Sequence, residues 1–204
     1  VNHMTGLVDD LLDVSRVTRG HIAIEKKRVA LKHIIATALE QVRPQMDEKK
    51  HAFELHWSDE SMCIEGDEER LVQVIANLLT NAAKFTPEHG HIRLTLASDD
   101  NEVEIRIQDN GVGMSADLLE TAFDLFVQGK RASDRGQGGL GLGLALVKML
   151  VTLHNGTILA NSPGEGMGSE FILRFPYLLN PGHIETVSKT QPQSHSSMNS
   201  ASTI

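Results

Sequence analysis

Two rhythms alternate along the chain, one near 3.6 residues and one of two, and together they predict a mixed α/β domain. Met4, Leu7, Val8, Leu11, Leu12, Val14 and Val17 form one broad helical stripe. Asp9, Asp10, Asp13 and Arg16 fill the opposite side, and Gly20 is a plausible stop. A lone helix cannot bury such a stripe, so it calls for a partner helix, a second copy or the domain that follows; the pattern does not choose. Residues 21–25 alternate and predict a small strand. Leu31, Ile34, Ile35, Ala38, Leu39 and Val42 predict a second helix, distorted at Pro44 and ending in the charged run 47–50. Phe53, Leu55 and Trp57 share one face of a predicted strand over residues 52–57, with a short neighbour at 62–65.

Asp67 predicts an N-cap for a helix over 68–85, whose core side is Leu71, Val74, Ile75, Leu78 and Ala82. Strands over 92–97 and 103–108 flank a Ser-Asp-Asp-Asn turn and predict a hairpin. A Gly-rich bend leads to a short helix near 115–122. The aperiodic stretch 127–139, rich in Gly and charge, predicts a mobile loop. A further helix over 142–153 and strands over 157–160 and 170–175 complete the pattern. From residue 179 onward Ser, Thr, Asn, Gln and Pro dominate, the composition of a disordered linker. The expected architecture is an α/β sandwich: a mixed, mostly antiparallel sheet of about five strands covered by about three helices, preceded by one long helix.

Composition narrows the classes. The chain has 204 residues, 40% of them apolar, enough for one domain with a sizeable core. Nineteen Lys and Arg against 27 Asp and Glu give a net charge of -8, which argues against a broad nucleic-acid or anionic-membrane face. A single cysteine, Cys63, excludes an intramolecular disulfide and a Cys-cluster metal site, and reads as a small buried hydrophobe. No apolar run approaches the roughly 20 residues of a bilayer span, and no signal-peptide pattern is present. Val1 opens directly into helical pattern, so the chain reads as cut from something longer, and membrane anchoring of the parent stays open.

Candidate chemistry lies in four stretches. Asn77, Asn81 and Lys84, at steps of four and three, share one stripe of the 68–85 helix. Asn is below average inside helices, so two on one face followed by Lys ask for a purpose beyond an exposed polar face. An amide oxygen can ligate a hard cation, and an ammonium can neutralise a phosphate oxygen. Asp109 shares the inward phase of Val103, Ile105 and Ile107, where a carboxylate needs a donor. The exocyclic amine of adenine is one candidate, and a simple turn cap is the other. Gly136, Gly138, Gly139, Gly141 and Gly143, interleaved with Leu140, Leu142 and Leu144, lead into a helix N-terminus. Such a run lets backbone N–H groups approach a phosphate while the Leu side chains anchor the rim. Gly166, Gly168 and Ser169 close the pocket floor or make a hairpin. No G-x-x-x-x-G-K-[ST] loop occurs.

In order and spacing, Asn77–Thr86 (NLLTNAAKFT), Asp109–Met114 (DNGVGM), Phe123 and Phe126, Gly139–Lys148 (GLGLGLALVK) and Gly168–Phe171 (GSEF) resemble the catalytic and ATP-binding domain of sensor histidine kinases. That family belongs to the larger gyrase, Hsp90, histidine kinase and MutL-like ATPase superfamily. The resemblance implies ATP and Mg2+ as ligands. Asn81 would ligate the metal, Asn77 would stand beside the triphosphate, and Lys84 would contact phosphate oxygens. Asp109 would accept from adenine, and Gly111 and Gly113 would let the chain pass close to the base. Ala82, Met114, Phe126 and Ser169 would also contribute to nucleotide contacts, with Phe123 and Phe126 pinning the base of a lid formed by 127–139. Gly139, Leu140, Gly141, Leu142, Gly143 and Leu144 would border the phosphates; Lys130, Arg131 and Arg135 read as solvated lid charges.

The resemblance divides the chain into residues 1–19, similar to the second helix of a dimerising hairpin, a catalytic domain over 20–178, and a tail over 179–204. The family's acceptor element, Ser-His-Glu-Leu-Arg-like, is not in this sequence, and the surroundings of His3 lack the acidic neighbour such a histidine needs. The expected function is transfer of the ATP γ-phosphoryl to a histidine and onward to an aspartate of a response-regulator receiver domain. The parent would be a homodimer with a cytoplasmic catalytic domain, with inner-membrane anchoring and fusion to a receiver both open. Competing expectations are an ATPase doing mechanical work, a protein-serine kinase of the anti-sigma type, and a degenerate nucleotide-binding scaffold. An amide at Asn77, where ATPases of the superfamily carry a Glu base, disfavours the first.

Overall fold

A parallel strand pair needs a long crossover, and one such crossover fixes the layout of this chain. The computed structural model describes residues 11–16, 23–99, 101–127 and 140–178. Strand β2 (Ala52–Trp57) pairs parallel with β4 (His91–Ser98), and the crossover between them carries helix α2 (Glu68–Phe85) across one face of the sheet. The remaining pairs are antiparallel: β4 with β5 (Glu102–Asp109), β5 with β7 (Ser169–Pro176), and β7 with β6 (Thr157–Asn161). Strand order is β2-β4-β5-β7-β6, a five-stranded mixed sheet as expected. A separate two-stranded ribbon joins β1 (Lys27–Ala30) to β3 (Cys63–Gly66).

Helices α1 (Leu31–Glu48), α2 and α4 (Gly143–Leu153) carry the apolar cover, and a short α3 (Ala116–Thr121) follows β5. Alternation along each strand sends Ile92, Leu94, Leu96, Val103, Ile105, Ile107, Phe171, Leu173 and Phe175 towards the helices, all buried. They meet Ile34, Ile35, Leu78, Leu79, Leu146, Val147 and Leu150, likewise buried. The other sheet face carries charges that pair across strands: Arg93 with Glu54, Arg174 with Glu104, and Arg106 with Glu170. No helix among the described residues is long and apolar enough to cross a membrane.

Several expectations need correction. The strand expected over 21–25 forms at Lys27–Ala30, where β3 supplies its partner; residues 23–26 have no regular structure, and 21–22 lie outside the described residues. Helix α1 ends at Glu48, within the expected charged run, with Pro44 inside it. The carbonyl that loses its N–H partner to the proline is that of Glu40, an exposed residue, so it can turn to water. Cys63 is half-buried, its thiol facing the Ser61 carbonyl at 3.4 Å.

The opening helix departs from its expected orientation. Its described part, residues 11–16, is helical, yet Leu11 and Leu12 are 46% and 48% exposed while Asp13 and Val14 are buried. Asp13, assigned by pattern to the solvent side, accepts from Arg70 at 2.7 Å and Gln73 at 2.9 Å, both on α2. The helix thus lies back on the domain at Asp13 and Val14. The expected stop at Gly20, residues 128–139 of the expected loop and the tail from 179 fall outside the described residues.

Candidate functional site

Helix α2 begins at Asp67, whose carboxylate accepts from Arg70 N, with Glu68 and Glu69 in the positive first turn. Its apolar side is buried, and its polar stripe runs Arg70, Gln73, Asn77, Asn81, Lys84. Asn77 Nδ2 is buried without any hydrogen-bond partner. Such an orphan is costly unless a ligand completes it. Lys84 is half-buried, its Nζ 5.0 Å from the Phe85 ring centroid. Burial and the charge of Lys49 hold its ammonium below the ordinary lysine range, and no carboxylate opposes them. The C-terminal half of the stripe therefore offers amide groups and a cation with no counter-charge among the described residues.

Asp109 ends β5 between Ile92 and Ser169 of the neighbouring strands. Burial pushes its carboxyl above the usual carboxylate range, against hydrogen bonds from the N–H groups of Gly111 and Ser169. Its Oδ1 accepts from Gly111 N at 2.8 Å, so the turn-cap reading holds for one oxygen. The loop that follows is pressed onto the end of α2: Val112 N donates to Phe85 O at 3.1 Å. A Cβ on Gly111 would stand 2.5 Å from that same carbonyl, which explains the glycine. Gly113, at φ 63, would drive a Cβ to 2.1 Å from Gly164 O. The stripe of α2 and the Asp109 turn are thus adjoining parts of one seam.

A cleft of about 410 Å3 opens beside Asp109, lined also by Leu119, Ser162, Met167, Gly168 and Ser169. Asn77, Asn81 and Lys84 are not among its walls.

Residues 140–144 lead into α4. Gly141, at φ 70, packs against Val127, and its carbonyl accepts from Phe126 N at 3.1 Å. A Cβ on Gly143 would meet nothing within 4 Å, which leaves open space at the start of α4, where helix N–H groups favour an anion. Leu142 is buried, whereas Leu140 is 40% exposed, so the expected alternation of anchoring leucines holds at Leu142 and fails at Leu140. Phe123 packs edge-on against Phe171 with centroids 6.4 Å apart, as a pin should. Phe126 is 63% exposed at φ 65, and only its backbone is tied in. Ala82 and Met114 are buried and back the seam from the core side. Gly139, Lys130, Arg131 and Arg135 lie outside the described residues.

Three supports had no signature in the pattern. Ser162 Oγ accepts from Met114 N at 2.9 Å and donates to Gly168 O at 2.8 Å, clamping the Asp109 loop to the β6–β7 loop. His154, 2% exposed, takes Asp67 N–H on Nε2 at 3.0 Å and gives Nδ1–H to Leu150 O at 2.7 Å, so it joins the start of α2 to the end of α4 as a neutral ring. Lys49 reaches the end of α2 from α1.

These features define a nucleotide-binding class, and residues 66–179 match the family described as histidine kinase-, DNA gyrase B-, and HSP90-like ATPase. The chain belongs to that family. Over 185 residues it is 33% identical to the circadian input-output histidine kinase CikA of Thermosynechococcus vestitus, covering 88% of this chain and 25% of CikA. Full-length ShkA, solved in complex with AMPPNP, superposes with a TM-score of 0.75 at 30% identity over 87% of this chain and 36% of ShkA. The mycobacterial sensor histidine kinase MprB gives 0.65 at 27% identity, over 75% of this chain and 98% of the MprB chain. The chain spans about a quarter of the length of CikA.

Proposed function

We propose that this domain binds Mg-ATP in the seam between α2, the Asp109 turn and the start of α4, and presents the γ-phosphoryl group to a histidine imidazole. The imidazole nitrogen would bond to phosphorus as the bond to the ADP oxygen breaks, and an aspartate of a response-regulator receiver domain would take the phosphoryl group next. The observation that carries the reading is the α2 stripe, where a buried unpaired amide at Asn77 stands one turn from Asn81 and on the face of an unpaired Lys84. The residues present fit the metal: Asn81 supplies a hard amide oxygen, and Mg2+ held there would neutralise charge on the phosphate oxygens.

Each side chain has a distinct task. Asp109 accepts from the adenine amine and so separates adenine from guanine, whose corresponding position is an acceptor. Lys84 and the N–H groups at the start of α4 receive phosphate oxygens. Asn77 cannot take a proton from water at neutral pH, which spares the γ-phosphoryl from hydrolysis. This sequence carries no acceptor element of the family kind, so the chain should bind Mg-ATP without labelling itself. Titration with an ATP analogue tests the reading. Binding should favour ATP over GTP, lose its Mg2+ dependence in Asn81→Ala, and disappear in Asp109→Ala. Equal affinity for ATP and GTP would refute the adenine assignment, and stoichiometric phosphohistidine on this chain would refute the division of labour.

A further inference from the structure

We propose that Lys49, at the end of α1, is a positioning residue for the triphosphate: its ammonium closes the C-terminus of α2 and charges the segment from which Lys84 meets the ligand. The inference rests on the nucleotide reading above and adds a residue outside the stretches that carry the family resemblance.

Helix α2 has no glycine at its end. It leaves through Thr86 at φ -85 and ψ 131 and runs straight into Pro87, which has no N–H to give back. Thr86 N–H closes onto Ala82 O and Val112 N–H onto Phe85 O, which leaves the carbonyls of Ala83 and Lys84 without the usual backbone closure. Lys49 Nζ supplies it, donating to Ala83 O at 2.8 Å, Lys84 O at 2.7 Å and Thr86 O at 3.1 Å. An ammonium has three N–H groups, and these three acceptors use them all. Lys49 is itself anchored, because its carbonyl accepts from His89 N at 2.9 Å at the entry to β4. One residue thus ties the end of α1 to the end of α2 through its side chain and to the entry of β4 through its carbonyl.

A neutral amide would also offer N–H donors to these carbonyls. A charged cap does something more, because it sets a second ammonium within Coulomb range of Lys84. Burial lowers the proton affinity of both lysines, and Lys49 lowers that of Lys84 further. The carboxylates facing Lys49 are Glu48 and Glu88, while none offsets Lys84. The pair is mutually repulsive until a polyanion arrives. That is the electrostatic character of a site prepared for a triphosphate, with the charge fixed in place before binding.

Lys49→Met removes both cap and charge. Lys49→Gln removes the charge while keeping two of the three N–H donors on a side chain one atom shorter, so it reads chiefly the charge effect even where the Met variant loses its fold. Competition against a fluorescent ATP analogue would give affinities for Mg-ATP and for adenosine, which lacks phosphates. The expected result is a loss of about tenfold for Mg-ATP in Lys49→Gln, with adenosine held within about twofold. Lys49→Arg should recover most of the loss. The Lys84 ammonium, followed by NMR, should titrate at higher pH in Lys49→Gln than in the unmutated chain, a change that a merely structural cap would not produce. Unchanged Mg-ATP affinity in Lys49→Gln, or equal losses for ATP and adenosine, would overturn the proposal. An unmutated chain that fails to bind Mg-ATP would instead overturn the nucleotide reading itself.

Discussion

Asp109 and His154 are both pushed towards their neutral forms, and the consequences have opposite signs. Burial raises the Asp109 carboxyl above its ordinary range. As pH climbs, the unfolded chain releases that proton first, so Asp109 subtracts stability between its ordinary and raised values and continues to do so at neutral pH. Asp109→Asn keeps an acceptor for Gly111 N–H and never charges. Thermal denaturation at pH 7 should therefore show an unliganded variant at least as stable as the parent sequence, although it no longer binds nucleotide. Binding uses the ionised carboxylate, so nucleotide affinity should fall as pH drops through the raised value, with proton release on binding in calorimetry. A flat affinity across that range would contradict the role. His154 is lowered chiefly by burial. Above the usual imidazole value of about 6.5 it costs nothing; below it the unfolded chain gains the proton first, so folding stability declines with acidity. His154→Gln should flatten the fall in melting temperature between pH 7.5 and 5.5, and an undiminished slope would assign the loss to other groups.

At the scale of the element, α2 is one stripe with two uses. Arg70 and Gln73 hold the opening helix through Asp13, and Asn77, Asn81 and Lys84 face the seam. Truncating Arg70 leaves a buried carboxylate with a single donor, a loss of about 1.5–3 kcal/mol for hydrogen bonds to a charged group. In Arg70→Ala, amide exchange over residues 11–16 should accelerate by roughly ten- to a hundredfold. Exchange at the parental rate would mean that Asp13 is not what restrains this helix. The helix itself was legible, from the Asp67 cap through the 3.6-residue spacing to its last turn, because each signal is local. The clasp was not. Asp13 sits among other acids on a face that looks wet, and only a partner 57 residues away in sequence turns it inward. The same limit explains β1, whose place depends on β3, and Phe126, whose aromatic ring promised burial that the chain's left-handed turn denies it.

For the whole molecule, the sheet order follows from one parallel crossover, the β4–β5 and β6–β7 pairs of consecutive strands, and the long helical connection that carries the chain from β5 to the edge strand β6. The alternation along β4, β5 and β7 was enough to place most of the core. The four chemical stretches were also legible, because each is a compact run of residues. The tertiary supports were hidden: Lys49, Ser162 and His154 act on segments far off in sequence through polar contacts that leave no periodic trace. If the seam is a nucleotide site, Mg-ATP binds only the folded chain. At a hundredfold excess over Kd it should add about 2.7 kcal/mol, or roughly 5–10 °C in melting temperature. The most direct test follows the amide signals of the 15N-labelled chain during a Mg-ATP titration. The Asn77 and Asn81 side-chain amides and the Gly111 and Gly113 backbone amides should move together, with one shared Kd. Movement of one cluster alone, or two unrelated affinities, would show that α2 and Asp109 do not serve a common ligand.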